Sequence, residues 1–473
     1  MPTVAPSTSH AARWLVLAVV LCAEVMDLLD STVVNVAGPS IRADLGGGAA
    51  TLQWLNAGYT LTFAVLLITS ARLGDIVGRR RLFLIGAAGF TAASALCAAA
   101  PGPELLIAFR VLQGGFGAVL IPQGFGMLNE VFPEEEMGKV FGLFGPIVGA
   151  AAVAGPVLAG GLVDLDLLGS GWRLVFLINI PIGVVALAIA ARVLPRTVAA
   201  PGTRLDVPGM LLVGAAAFAL IYPLIQGREE GWPAWSFALF AAGLALLGVF
   251  AAYERRRQDS PLIERALIKN TSFTSGLALA LAFFASVGGL LLVLSLFCQV
   301  GQGLSASRTG LALTPYSLGM IASMMASFRL VDRLGRALVQ IGLVTTALGL
   351  GLLAAMVAGD GDVSTWSLVP GTAIAGAGSG LVFGQLFDII LTGVGEQEIG
   401  SASGVLNATQ QLAFALGVAG VATLFFAELS RHPSGDALAI TALATLVPLA
   451  ISLALAFRLP PKATAQADGA STE

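Results

Sequence analysis

The chain has 473 residues, 56% of them hydrophobic and 11% charged, with a mean hydropathy of +0.88 and a net charge of −3. A soluble domain carries about 25% charged residues, so a water-soluble fold of this size is excluded and a lipid bilayer is the solvent the composition demands. The small net charge argues against a nucleic-acid partner, and Cys22, Cys97, Cys298, His10 and His432 offer no disulfide framework, zinc spacing or histidine catalytic centre.

Taken in chain order, runs of about 20 mostly apolar residues, long enough to cross a bilayer, fall at 14–36, 52–72, 82–100, 104–129, 138–163, 174–194 and 208–226. They continue at 234–252, 272–299, 309–328, 338–358, 366–392, 402–427 and 437–457, fourteen predicted spans in all. The first run holds Glu24, Asp27 and Asp30, an acidic content wrong for a removable leader. An even number of spans puts both termini on one side. With that side cytoplasmic, nineteen Lys and Arg residues fall inside and five outside, the asymmetry of the positive-inside rule.

An octapeptide repeats. Residues 72–79 and 329–336 both read R-L-x-D-x-x-G-R, the first after span two and the second after span ten. Duplicated halves are common in secondary transporters. The expected division is a six-helix bundle over 1–200, an inserted helix pair with its linker over 201–260, and a second six-helix bundle with a short tail over 261–473.

Charged residues at membrane depth are the sharpest functional signal. Glu24, Asp27 and Asp30 lie about 16 to 26 Å along a helix from residue 13, well inside a hydrocarbon core of about 30 Å. Carboxylates there are expensive and generally line a cavity or pair with other groups. Their spacing of three lets all face one cavity, where groups that bind and release protons serve a proton-coupled carrier. Arg110, in span four, never loses its charge and can pair with one of them. The bland reading of each is a fixed structural ion pair or a hydrogen bond between helices. Asp388 with Gln385 lies toward the cytoplasmic end of span twelve. Asn56, Tyr59, Gln113, Tyr316, Gln410 and Gln411 are further polar groups at depth, and single amides in such helices are more often helix–helix glue than ligand contacts. Gly155-Pro156, followed by Gly160 and Gly161, interrupts the backbone ladder of span five and makes a smooth, bendable face. None of the three lysines stands in a Gly-Lys-Ser or Gly-Lys-Thr sequence, as a phosphate-binding loop needs, so ATP-driven pumping within this chain is not expected.

These motifs resemble the major facilitator superfamily and, within it, the fourteen-helix drug:proton antiporter branch, over about 13–458. Residues 72–81 look like the signature loop between helices two and three, with Ala71 where the family usually opens with Gly. The resemblance implies that Asp75, Gly78 and Arg79 latch a cytoplasmic gate with Glu130, and that Asp332 and Arg333 do the same in the second half. Residues 106–114, which contain Arg110 and Gln113, are similar to the helix-four motif linked to proton coupling. Residues 151–160 resemble the helix-five antiporter motif, with Ala151 and Ala159 in place of two glycines. Residues 30–39, Trp172-Arg173 and Asn179-Ile180-Pro181 look like the fourteen-helix branch.

The expected protein is all-α and is not an enzyme. It is expected to be a monomeric carrier in the cytoplasmic membrane, driven by the proton gradient without a cofactor, that exports drugs, antibiotics or lipophilic cations by alternating access. Asp30, joined by Asp27, would exchange protons against cargo, and Asp30→Asn is expected to abolish coupled transport while leaving expression intact. A proton symporter importing a nutrient and a non-transporting membrane sensor are the alternatives.

Overall fold

The computed structural model describes residues 10–195, 205–257, 265–359, 364–392, 394–395 and 399–460. The first half contains α1 (His10–Leu45), α2 (Ala49–Val77), α3 (Arg79–Ala98), α4 (Pro103–Val131), α5 (Glu134–Leu165) and α6 (Gly171–Val193, interrupted at Ile178). Two more helices follow, α7 (Val207–Glu229) and α8 (Ala234–Arg256). The second half contains α9 (Thr271–Gly301), α10 (Ala306–Leu334), α11 (Arg336–Val357), α12 (Thr365–Leu391), α13 (Ile399–Leu429) and α14 (Ser434–Ala456, interrupted at Thr445). Each predicted span lies on one of these helices, most of which run a few residues further at each end.

Eleven segments among the described residues are long and apolar enough to cross a membrane. The other three, α1, α2 and α5, have 36, 29 and 32 residues, each longer than the ~20 that a crossing needs. The carboxylates of Glu24, Asp27 and Asp30 raise the charge of α1, but they face protein rather than lipid, as described below.

The halves share one packing pattern. In the first, α4 packs on α2 and α3, α1 on α5 and α6, and α3 on α6. In the second, α12 packs on α10 and α11, α9 on α13 and α14, and α11 on α14. The halves meet along two seams related by the same correspondence, α2 against α13 and α10 against α5. Helix α7 lies along the first seam and touches both α2 and α13, while α8 packs on α7.

The octapeptide repeat makes the same turn twice. Gly78 (φ 95°) and Gly335 (φ 50°) each end one helix and begin the next without a linker. Only glycine adopts these positive-φ conformations cheaply. After each glycine an arginine holds the end of its half's sixth helix. Arg80 donates to the Ala191 carbonyl at 2.5 Å, and Arg336 donates to the carbonyls of Phe457 and Leu459 at 3.1 and 2.9 Å. These turns define the basic end of the molecule.

Candidate functional site

A polar cluster is buried in the first half, built by α1, α2, α3, α4 and α6. Arg110 and Asp30 are both wholly inaccessible and form an ion pair. The other carboxylate oxygen of Asp30 accepts from Gln113 Nε2 at 2.8 Å and Asn179 Nδ2 at 3.0 Å. Ser94 accepts from both amides, at 3.2 and 3.0 Å, and passes its own proton to the Phe176 carbonyl at 3.1 Å. Arg110 also donates to Gln113 Oε1 at 2.8 Å and to the Leu55 carbonyl at 3.1 Å. Its guanidinium carbon lies 4.3 Å from the centre of the Tyr59 ring, a distance at which a desolvated cation is attracted to the ring face.

Local sequence explains how α4 comes so close. A side chain at Gly114 would stand 2.3 Å from the Tyr59 carbonyl oxygen, so glycine there lets α4 rest directly on α2 and brings Arg110 beneath α1. Gly117 lies against Asp27, whose carboxylate would be 3.1 Å from an added Cβ.

Asp27 sits one turn from Asp30 in a different setting. It accepts the Tyr59 hydroxyl and makes no ion pair among the described residues. Tyr59 therefore touches both carboxylate regions, with its hydroxyl on Asp27 and its ring against Arg110. Glu24, a further turn along α1, is half-buried, and its inward oxygen has no hydrogen-bond partner. An amide-held ion pair, a carboxylate held by one hydroxyl and a carboxylate with one oxygen unpartnered thus line one side of α1.

Of the residues expected from sequence, Asp30, Asp27, Arg110, Gln113 and Tyr59 converge here, with Glu24 beside them. Asn56 is buried but turns back to the Leu52 carbonyl of its own helix at 3.5 Å. Gln385 is helix–helix glue, donating to Ser327 Oγ at 3.0 Å across α12 and α10. Tyr316 is buried where α10 and α12 approach most closely. Gln410 and Gln411 are half-buried on α13 and make no hydrogen bond to the cluster, and Asp388 is exposed on α12. Asn179 and Ser94 were not expected to be site residues. Asn179 opens the Asn-Ile-Pro motif that resembles the fourteen-helix branch, whereas nothing in the sequence singles out Ser94.

At the basic end, Arg79 meets Glu130 at 3.3 Å. Gly126 makes room for this contact, since a Cβ there would lie 2.2 Å from Arg79 Nη1. The side chains of Asp75 and Asp332 lie outside the described residues, and Arg333 is exposed.

The opposite end is where the halves are joined. On the α5–α10 seam, added side chains at Gly160 and Gly310 would reach the carbonyls of Ala306 and Pro156 at 2.3 Å, so backbone packs on backbone. Asp164 accepts from the Ser307 amide of α10 at 2.9 Å. Gly155 faces α1, where its Cβ would meet Thr32 Oγ1 at 2.4 Å. The smooth face of α5 is therefore a contact surface between halves as well as within one. Gln299 of α9 donates to the Val36 carbonyl of α1 at 2.8 Å.

Residues 20–418 match the family described as Major Facilitator Superfamily. The chain belongs to the Major Facilitator Superfamily. It is an all-helical, multi-pass membrane transporter of small molecules. Among its relatives, a probable actinorhodin transporter of Streptomyces coelicolor is 50% identical over 92% of this chain and 76% of its own length. A cephamycin export protein of Amycolatopsis lactamdurans is 35% identical over 96% of this chain and 95% of its own length. A puromycin resistance protein of Streptomyces alboniger is 36% identical over 86% and 80%. Among solved structures, a POT family transporter in complex with 5-aminolevulinic acid superposes with a TM-score of 0.70 at 13% identity, over 95% of this chain and 98% of its own. That likeness is one of fold.

Proposed function

We propose that the protein is a proton-driven exporter of antibiotic-like organic molecules, of the fourteen-helix antiporter branch, with the basic end cytoplasmic and all fourteen helices crossing the membrane. Export is supported by relatives whose names describe transport of, or resistance to, actinorhodin, puromycin, tetracenomycin C and cephamycin. Proton coupling rests on one observation: the Asp30 carboxylate is paired with Arg110 and held by two amides, whereas the Asp27 carboxylate is held by one hydroxyl.

The geometry supports a division of labour between the two aspartates. A proton added to Asp30 would strand the Arg110 charge in a water-free site, which is costly. A proton can join Asp27 without breaking any ion pair, and Tyr59 can turn its hydroxyl to another acceptor. Asp27, with Glu24 beside it, is the exchanging group, and Asp30 with Arg110 is the fixed charge that shapes the site. This assignment moves the leading role from Asp30, first by sequence, to Asp27. Cargo entering from the cytoplasmic side meets unprotonated Asp27; protons from outside then displace it and reset the carrier. The joined seams at the end opposite the basic loops correspond to a state closed to the outside.

The test is the collapse of a pH gradient in energised inside-out vesicles on addition of actinorhodin, puromycin, tetracenomycin C or a cephamycin. Collapse that is lost in Asp27→Asn supports the reading. No collapse with any of the four, while the protein is present and folded, refutes it.

A further inference from the structure

The two seams between the halves are equivalent by the repeat, yet only one carries an inserted helix. On the α5–α10 seam the contacts run directly between the halves. On the α2–α13 seam they run through α7. Gln53 of α2 donates to Thr423 Oγ1 of α13 at 2.9 Å, with a longer approach of 3.4 Å to the Ala419 carbonyl. Thr423 Oγ1 in turn donates a hydrogen bond to the Leu224 carbonyl of α7 at 2.8 Å. One hydroxyl thus ties three helices, one from each half and one from the inserted pair. Gln53 is wholly buried and Thr423 nearly so, which makes the relay strict: a hydroxyl is the one small group that accepts from the amide and donates to the carbonyl at the same time.

A second contact lies at the helix ends nearby. The Glu229 carboxylate, in the last turn of α7, accepts from the Ala50 amide at 2.8 Å and so caps the N-terminus of α2. A carboxylate satisfies the free amides there and complements the helix dipole. Gly48 leaves space for it, since a Cβ at that position would stand 2.6 Å from Glu229 Oε1. Toward the other end of the same seam the packing is loose. A cavity of about 140 Å³ is lined by Ala64 of α2, Val213 and Ala217 of α7, Phe250 of α8, Leu277 of α9 and Leu412 of α13, among others.

We infer that the inserted pair is a working part of the outer gate, with Thr423, Gln53 and Glu229 as its positioning residues. On this seam α7 clamps the end opposite the basic loops and leaves the basic end room to close, so the pair favours the outward-closed state and must release when the carrier opens outward. The inference rests on the alternating-access reading above.

The test follows the two gate positions without any cargo. Donor and acceptor dyes are placed through unnatural amino acids at Leu167 and His432, exposed positions beyond α5 and α13, and single-molecule transfer efficiencies are read in nanodiscs. Thr423→Val keeps the shape but removes the relay, and Glu229→Gln removes the charge of the cap. Each is expected to raise the ratio of the outward-open to the outward-closed population about threefold, the ratio that corresponds to the ~0.6 kcal/mol average of one hydrogen bond between membrane helices. Thr423→Ser is expected to restore it. If Thr423→Val and Glu229→Gln both leave the populations of a folded protein unchanged, the pair is a passenger and the inference is wrong. If Thr423→Val does not fold, Glu229→Gln at the helix end decides alone. A shift in populations alongside failed antiport for every cargo would sink the proposed function and leave this inference standing.

Discussion

Replacing Asp30 with Asn tests the central cluster most directly. The carboxylate accepts from Arg110, Gln113 and Asn179, and neither it nor the guanidinium reaches solvent. An asparagine can keep a bond from one amide donor, but its own NH₂ then faces Arg110 Nη1 or a neighbouring donor. Arg110 would retain its bonds to Gln113 and Leu55 and lose the one carboxylate it pairs with among the described residues. Breaking a buried pair from one side costs ~3–5 kcal/mol, several times the ~0.6 kcal/mol average of a hydrogen bond between membrane helices. The pairing therefore changes the expectation drawn from sequence: Asp30→Asn is expected to lose expression and stability as well as transport. Thermal unfolding of the detergent-solubilised protein, followed by size-exclusion fluorescence, measures the effect. Adding Arg110→Gln, which removes the stranded charge, should recover much of the stability without recovering transport. Asp30→Asn that unfolds together with the wild type would refute the reasoning, because an uncompensated Arg110 would then cost nothing.

Asp27→Asn should do the reverse, keeping the melting temperature close to wild type while abolishing substrate-induced proton movement in vesicles. Tyr59→Phe removes the single hydroxyl donor to Asp27 and is expected to shift the pH dependence of transport without abolishing it, which a rate profile across pH would reveal. Gly78→Ala and Gly335→Ala each force a side chain into a positive-φ turn, at ~1–3 kcal/mol apiece, visible as an earlier thermal transition for either variant. Gly310→Val drives a branched side chain into the Pro156 carbonyl. It should open the outer seam, raising the accessibility of the central site to reagents added from outside.

The helices were legible because a bilayer imposes a length and an apolar composition on every crossing, and all fourteen predicted runs lie on helices. The doubled octapeptide was legible too, whereas the need for its glycine followed only from the positive φ at Gly78 and Gly335. Arg110 could be predicted to seek a first-helix carboxylate because an arginine at depth must have a counter-charge. Which of three carboxylates it takes was open, since Glu24, Asp27 and Asp30 recur at spacings that all point to one side of α1. Gln410 and Gln411 looked as suggestive as Gln113, yet only Gln113 lies on Asp30.

Hydropathy and the repeat thus determined the membrane environment, the order of the helices and the twofold plan, because those properties are written in each segment alone. The tertiary structure decided the partners. The Asp30–Arg110 pair joins positions 80 residues apart, and the Gln53–Thr423 bond joins positions 370 apart. Such contacts depend on how closely two backbones approach, and that distance is set by glycines such as Gly114, Gly160 and Gly310 meeting a carbonyl on another helix. A glycine in an apolar run reads the same whether it faces lipid or a neighbouring backbone, so only the packed helices distinguish them.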